Sequence, residues 1–322
     1  MMKMSKIRFG IMGAGGIAGH FVRAMAHIKT AEVVAVASKS IERAENFAKQ
    51  NGVASFCTYD ELLARDDIDA VYVATTHNFH YENIKACLEK GKHVLCEKAM
   101  VLTEKDAREL CDIAESKGLF LMEAMWTRFL PSMQKAKKWI TDGKIGKIQN
   151  ISGVIGFKGK DDVECRLLNP DLAGGALYDI GVYVIEIASF LAGEKIVDSY
   201  GKVRRDPRTG VDSNVSFILE FETFDACLQC LITANPKEYM IINGDKGYIE
   251  IPRSHVGNEC FLYDNNRNLK KHFKEEFRGN NGFVYEIEET VKCIKKGRTE
   301  SDIMPHSATI ECAGVFNKLL SE

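Results

Sequence analysis

Asp179 and Tyr183 stand four residues apart in GALYDIGVY, residues 175–183, a stretch whose other residues read as buried helix. On a helix that spacing projects both side chains from one face, so a carboxylate and a phenol meet at one place. A phenol beside an ammonium gives up its proton more readily, because the positive charge favours the phenolate, and the pair becomes a workable acid/base at neutral pH. Lys98, in KHVLCEKAM, offers that ammonium after a strand-like run. Taken singly, Tyr183 also fits a buried tyrosine partnered by Asp179, and Lys98 a surface lysine at a strand end. Gly174 and Gly175, just upstream, supply a turn that lets backbone approach a ligand.

A second constellation suits phosphate. Gly13, Gly15 and Ala18 form G-x-G-x-x-A between the strand-like KIRFGIM and a helix, with Gly16 and Ile17 in the same loop. The first glycine permits a tight turn, the second lets backbone amides reach a pyrophosphate, and the alanine allows close helix packing. The helix N-terminus then favours the phosphate charge. At the end of the second strand a site for NAD places an acid on the ribose hydroxyl. Here Ser38 and Lys39 take that place, and Arg43 follows one helical turn beyond Lys39. The expected cofactor is therefore NADP rather than NAD, the alternative being that Lys39 and Arg43 are a solvated helix start.

The elements that position these residues alternate. From Lys6 to Glu123, KIRFGIMG, AEVVAVAS, DAVYVATT, KHVLCEK and LFLMEAM read as strands separated by amphipathic helices, the signature of a doubly wound parallel sheet. Loops beyond the carboxyl ends of such strands line the ligand crevice. They offer Thr75, Thr76, His77, Asn78 and His80 after the fourth strand, and Glu97 with Lys98 after the fifth. His77 and His80 lack a clustered third ligand, so no metal is expected. After Trp126 a helix, a strand, the 175–183 helix and long antiparallel strands over 197–264 follow, with final helices near 283–296 and 306–320. The domains expected are 1–124, a dinucleotide-binding Rossmann domain, and 125–322, an α/β domain for substrate and dimerisation.

Composition narrows the partners. The 322 residues carry a formal charge of −2 and 45% hydrophobic content, which suits a folded chain with a small-molecule ligand and gives no footprint for nucleic acid or a membrane surface. The opening MMKMSKIRFGIMGAGGIAG has Lys3, Lys6 and Arg8 before an apolar run, but its glycines argue against a signal helix. Glu186 interrupts the most apolar later stretch, VYVIEIASFLAG. Ten scattered cysteines suit a reducing, cytoplasmic setting, and the three-residue spacing of Cys227 and Cys230 on a strand sends their thiols to opposite faces.

With the glycine loop, Glu-Lys after the fifth strand and D-x-x-x-Y in order, the chain resembles the Gfo/Idh/MocA oxidoreductase family. EAMWTRFLP (123–131), LAGGALYDIGVY (172–183) and GFVYEIEE (282–289) are most similar to its dihydrodiol dehydrogenase and glucose-fructose oxidoreductase branch. The resemblance implies a Rossmann domain followed by an α/β domain whose large, mostly antiparallel sheet has an open face that often mediates dimerisation, hence a homodimer or higher homo-oligomer. It implies that Lys98 is the catalytic lysine and that Asp179 and Tyr183 are the acid and the acid/base. Ser38, Lys39 and Arg43 then match the 2'-phosphate site, Trp126 and Arg128 a segment lining the cofactor, and Arg166 and Phe283 segments that shape the substrate pocket. Two positions depart from the family pattern: Ala99 stands where proline usually follows the lysine, and Ala173 replaces a common glycine. The activity implied is NADP-dependent hydride transfer to or from a hydroxyl/carbonyl carbon of a sugar, cyclitol or trans-dihydrodiol, with a non-catalytic NADP-sensing regulator as the alternative.

Overall fold

The computed structural model describes residues 6–321, so Lys3 of the opening segment lies outside the described residues. Contacts within the chain define two compact units. The first takes the chain up to Val101 together with Lys105–Trp126 and Arg278–Thr309; the second takes Leu102–Glu104, Thr127–Phe277 and the chain from Ile310. The single expected cut between 124 and 125 gives way to a chain that returns to its first unit. It returns because helix α8 (Phe283–Lys295) packs against α1 (Gly16–Met25).

In the first unit β1 (Ile7–Met12), β2 (Ala31–Ala37), β3 (Phe56–Cys57), β4 (Ala70–Val73), β5 (His93–Glu97) and β6 (Leu121–Ala124) form a parallel sheet in the order β3-β2-β1-β4-β5-β6. Every residue of β4 and β6 is buried, as strands covered on both faces require. Helices α2 (Ile41–Asn51), α3 (Tyr59–Leu63), α4 (His80–Glu89) and α5 (Glu104–Lys117) follow the strands in turn. β1 has β2 on one side and β4 on the other, so their carboxyl ends flank the reversal of strand order where open α/β sheets take ligands.

The second unit begins with α6 (Pro131–Thr141) and β7 (Ile148–Gly156). A π-helical turn, Leu177–Gly181, then runs into α7 (Val182–Ala192). Strands β8 (Ile196–Arg205), β9 (Asp212–Phe221), β10 (Asp225–Leu231), β11 (Tyr239–Gly244), β12 (Gly247–Pro252), β13 (Glu259–Asp264) and β14 (Leu269–Lys274) complete an eight-stranded sheet with β7. Its order is β14-β13-β12-β11-β7-β10-β9-β8, antiparallel throughout except between β7 and β10. Helix α7 packs on β7 and β10, and α6 on β12 and β13. β9 shows the result: Val215, Phe217, Leu219 and Phe221 are buried while Ser216 and Glu220 are exposed. Cys227 is exposed and Cys230 buried, as their spacing on β10 predicts. Pro170–Ala192 is long and apolar enough to cross a membrane by length and composition, yet 78% of its apolar window is buried, so it is a core segment.

Sequence periodicity misses β14. LKKHFK has no buried residue and no apolar alternation, being an edge strand whose exposed lysines discourage further pairing. The 175–183 helix is also less regular than expected, since Asp179 sits in the π-helical turn and Tyr183 in the α-helix that follows. Helix α9 (His306–Ser321) closes the described chain.

Candidate active site

The chain leaves β1 through Gly13, whose φ of +113° and whose missing Cβ, which would lie 2.5 Å from the Ala74 carbonyl oxygen, make glycine necessary. Gly15 and Gly16 differ: neither is left-handed, and a Cβ on either would meet no protein atom within 4 Å. Protein packing does not call for glycine there. Both lie at the mouth of α1, whose first turn has no side-chain cap and no acidic residue. Unused backbone donors and the helix dipole at such a mouth suit a phosphate anion. Ile17 is 38% exposed beside them, while Ala18 is fully buried against the sheet as close packing requires.

At the end of β2, Ser38 is buried and its hydroxyl accepts from the Ser40 amide at 3.4 Å. Ser40 caps α2 by accepting from the Arg43 amide at 3.3 Å. Lys39 and Arg43 are exposed, and the Lys39 ammonium lies 3.5 Å from the centroid of the Phe79 ring. A cation steadied on an aromatic face, with no carboxylate at residues 38–40, fits a cofactor bearing an extra phosphate.

The loop after β4 corrects two expectations. His80 is fully buried, with Nδ1 2.9 Å from the Ala99 carbonyl oxygen and Nε2 3.0 Å from that of Thr75. His77 Nε2 lies 3.1 Å from the Lys98 carbonyl oxygen. Neither ring lines a cofactor edge; both hold the backbone that carries Lys98, because buried carbonyls need partners. Burial lowers the His80 pKa and keeps the ring neutral. Thr75, Thr76 and Asn78 are half-buried, with Thr75 Oγ1 accepting from Asn83 at 3.0 Å and Thr76 Oγ1 donating to Asn78 at 2.7 Å.

Glu97 likewise turns inward. It accepts from the Tyr72 hydroxyl, and burial pushes its carboxyl upward. Glu286, projecting from α8 and fully buried, has no hydrogen-bond partner for either carboxyl oxygen among the described residues. Burial first, and the Glu97 charge second, push it well above the usual carboxylate range, so it is held as a neutral acid. Glu97 is therefore part of the unit's interior rather than a cofactor ligand. The peptide that joins Lys98 to Ala99 is cis. Trp126 and His20 each stack on Phe283, with ring centroids 5.4 and 6.3 Å away.

In the second unit Asp179 accepts from Arg166 Nη2 at 2.8 Å, joining two of the expected site residues. Tyr183 is largely buried, its ring 5.5 Å from that of His255, a residue that carried no sequence signal because it sits in the turn between β12 and β13. Gly174 and Gly175 serve the fold instead of a ligand. A Cβ on Gly174 would lie 2.6 Å from the carbonyl oxygens of Arg166 and Leu167. On Gly175, at φ +128°, it would lie 2.1 Å from Asp212 Oδ1. Asp212, also silent in the sequence, accepts from the Leu177 amide at 2.6 Å and so fixes the start of the segment bearing Asp179 and Tyr183. Ala173 adopts a left-handed φ of 54°, where the family glycine would be at ease.

Arg128 is corrected as well. It is 3% exposed and its guanidinium lies 2.5 Å from Glu186, so the charge that interrupts the apolar α7 is the counter-ion of a buried pair. Its guanidinium also sits over the Phe190 ring at 5.4 Å. Lys98 thus belongs to the first unit, and Arg166, Asp179 and Tyr183 are brought together in the second.

Comparison with known proteins agrees with this architecture. Residues 7–125 match the oxidoreductase family with an NAD-binding Rossmann fold, and residues 133–250 match the GFO/IDH/MocA C-terminal domain. The trans-1,2-dihydrobenzene-1,2-diol dehydrogenase of Mus musculus is 31% identical over 312 residues, 93% of this chain and 91% of its own. That of Xenopus laevis is 32% identical over 324 residues, 98% and 97% of the two chains. Among solved structures, the aldose-aldose oxidoreductase from Caulobacter crescentus complexed with glycerol superposes with a TM-score of 0.87 at 26% identity, covering 97% of this chain and 96% of that one. A 3-ketoreductase from Actinomadura kijaniata, in complex with NADP and TDP-benzene, superposes with a TM-score of 0.86 at 25% identity over 98% of both chains. The chain belongs to the Gfo/Idh/MocA family and is an NAD(P)-binding oxidoreductase.

Proposed function

We propose that this protein is an NADP-dependent oxidoreductase acting on a hydroxyl/carbonyl carbon of a small polyhydroxylated molecule, a sugar, cyclitol or trans-dihydrodiol. The observation that carries the proposal is the mouth of α1, where Gly15 and Gly16 leave open space that no protein atom requires. Lys39 and Arg43 at the end of β2 favour NADP over NAD. Relatives named for a dihydrodiol and for aldoses support a polyhydroxylated substrate.

A bound nicotinamide supplies the hydride acceptor or donor. In oxidation Tyr183 takes the proton of the reacting hydroxyl, and in reduction it returns it. The charge of Lys98 favours the phenolate, and the Lys98 carbonyl held by His77 sets the course of the backbone that bears it. Asp179, fixed by Arg166, orients the hydroxyl.

The test is fluorescence titration with NADPH and NADH, followed by turnover assays on polyols, aldoses, dicarbonyls and dihydrodiols. Lys98→Met should lower kcat by roughly a hundredfold or more and leave NADPH affinity unchanged; unchanged turnover refutes the assignment. Tight NADPH binding with no turnover on any of these would favour the non-catalytic sensor. The same proposal includes a cytoplasmic location and a homodimer through the outer face of the second unit's sheet. A shallow groove on that face is lined by Tyr200, Ile218, Cys227, Gln229 and Tyr239. Sedimentation equilibrium of wild type and Ile218→Glu reads the dimer directly.

A further inference from the structure

The turn between β12 and β13 is fastened to the segment that precedes α6. Thr127 Oγ1 donates to the His255 carbonyl oxygen at 3.1 Å and Ser132 Oγ to that of Gly257 at 2.8 Å. The turn itself is tight: Arg253 is left-handed at φ 47°, the Val256 amide bonds the Arg253 carbonyl at 2.9 Å, and a Cβ on Gly257 would lie 2.3 Å from the Pro252 carbonyl oxygen. A loop tied at so many points fixes the direction of the side chain it carries, and that side chain is His255.

Its imidazole meets two groups. On one side is the Tyr183 ring, 5.5 Å away and tilted by 54°. On the other is Glu238, whose Oε2 lies 3.3 Å from Nδ1 and whose Oε1 accepts from the Gly156 amide at 3.3 Å. Burial works to raise the Glu238 carboxyl, but the hydrogen bond from His255 outweighs it and holds the group below its ordinary range. Glu238 is therefore ionised and Nδ1 carries the proton it accepts, which leaves Nε2 as the polar atom for a further partner.

We infer that His255, backed by Glu238, is a specificity-determining residue that hydrogen-bonds a second hydroxyl of the substrate, on the carbon next to the one whose hydroxyl Tyr183 deprotonates. This inference rests on the proposed function, because it takes Tyr183 as the group that meets the reacting hydroxyl. Two polar groups on adjacent rings match a vicinal diol and leave a simple alcohol with one of them unused. An imidazole with a fixed tautomer discriminates because a substrate lacking the second hydroxyl leaves a desolvated nitrogen unpaired.

The test uses trans-cyclohexane-1,2-diol and cyclohexanol as paired probes with the full chain and NADP, both in turnover and in calorimetric binding. His255→Phe keeps a ring against Tyr183 and removes both nitrogens. It should raise KM and Kd for the diol about tenfold, the worth of one hydrogen bond, with kcat and the cyclohexanol constants unchanged. Glu238→Gln should weaken diol selectivity in the same direction, and His255→Gln should restore part of it. An unaltered diol preference in His255→Phe, or equal losses for both probes, overturns the assignment. Wild-type protein that binds the diol selectively yet never turns it over counts against the Tyr183 chemistry and in favour of the His255 contact. Wild-type protein that turns over both probes with no preference overturns the contact and leaves the dinucleotide chemistry standing.

Discussion

Asp212→Asn puts the positioning of the second unit's site to a quantitative test. Asp212 is 2% exposed, accepts from the Leu177 amide, and occupies space that only a glycine at 175 leaves open. Burial pushes its carboxyl up to about 6, although the Leu177 hydrogen bond and the charge of Arg205 pull the other way. Tyr178 and Cys230 also face it, and both are pushed upward by burial with a smaller push from the Asp212 charge. The gap from an ordinary 3.8 to about 6 corresponds to about 3 kcal/mol at roughly 1.4 kcal/mol per pH unit.

The sign follows from which state holds the proton more tightly. A raised pKa in the folded state means that protonation favours folding, so this contribution is complete below about pH 4 and is lost as pH rises through about 6. Asparagine keeps an acceptor for the Leu177 amide and never ionises. Asp212→Asn should therefore be more stable than wild type at pH 8, by about 1 to 3 kcal/mol, and the two proteins should converge near pH 4. Urea midpoints across pH 4 to 8, followed by Trp139 fluorescence in a Trp126→Phe background, give the comparison, since Trp139 lies in the second unit. A variant that is less stable at pH 8, with its pH dependence intact, would show that the carboxylate is welcome where it sits and would refute the reasoning.

Three further outcomes are expected. Gly16→Val adds side chain where no protein atom lies within 4 Å, so unfolding should be little changed while NADPH affinity falls about tenfold to a hundredfold, read by fluorescence titration. Lys39→Glu places a negative charge at the end of β2, so NADPH should bind about tenfold or more weakly while NADH changes less; an unaltered ratio removes Lys39 from the phosphate site. Glu186→Ala leaves the Arg128 charge buried beside Phe190, which should cost about 3 to 5 kcal/mol in urea unfolding, whereas replacing the pair together with Met and Leu should be close to neutral.

The fold was legible wherever burial imposes a period. Strands β1, β2, β4, β5 and β6 are covered on both faces or nearly so, and their apolar runs announce a parallel sheet. β9 alternates cleanly because one face lies on the helices. β3 and β14 carry no such imprint, one being two residues long and the other an edge without buried side chains. The return of residues 278–309 to the first unit was invisible for a different reason: a helix pattern states which face is apolar but not which of two sheets receives it.

Site residues divide along a similar line. Gly13, Gly15, Gly16 and Ala18 work through the local backbone, so their spacing carried their meaning. His77, His80 and Arg128 did not, because a polar side chain near a crevice serves a ligand or the fold according to which distant atom needs it. Here the carbonyls of Thr75, Lys98 and Ala99 claim the two histidines, and Glu186 claims the arginine across 58 positions of sequence. The converse holds for Asp212, His255 and Glu286, which are silent in sequence and gain their roles only from what packs over them. The family motif thus marks the groups assigned to the chemistry, while the groups that aim them are dictated by buried donors and acceptors that must be paired.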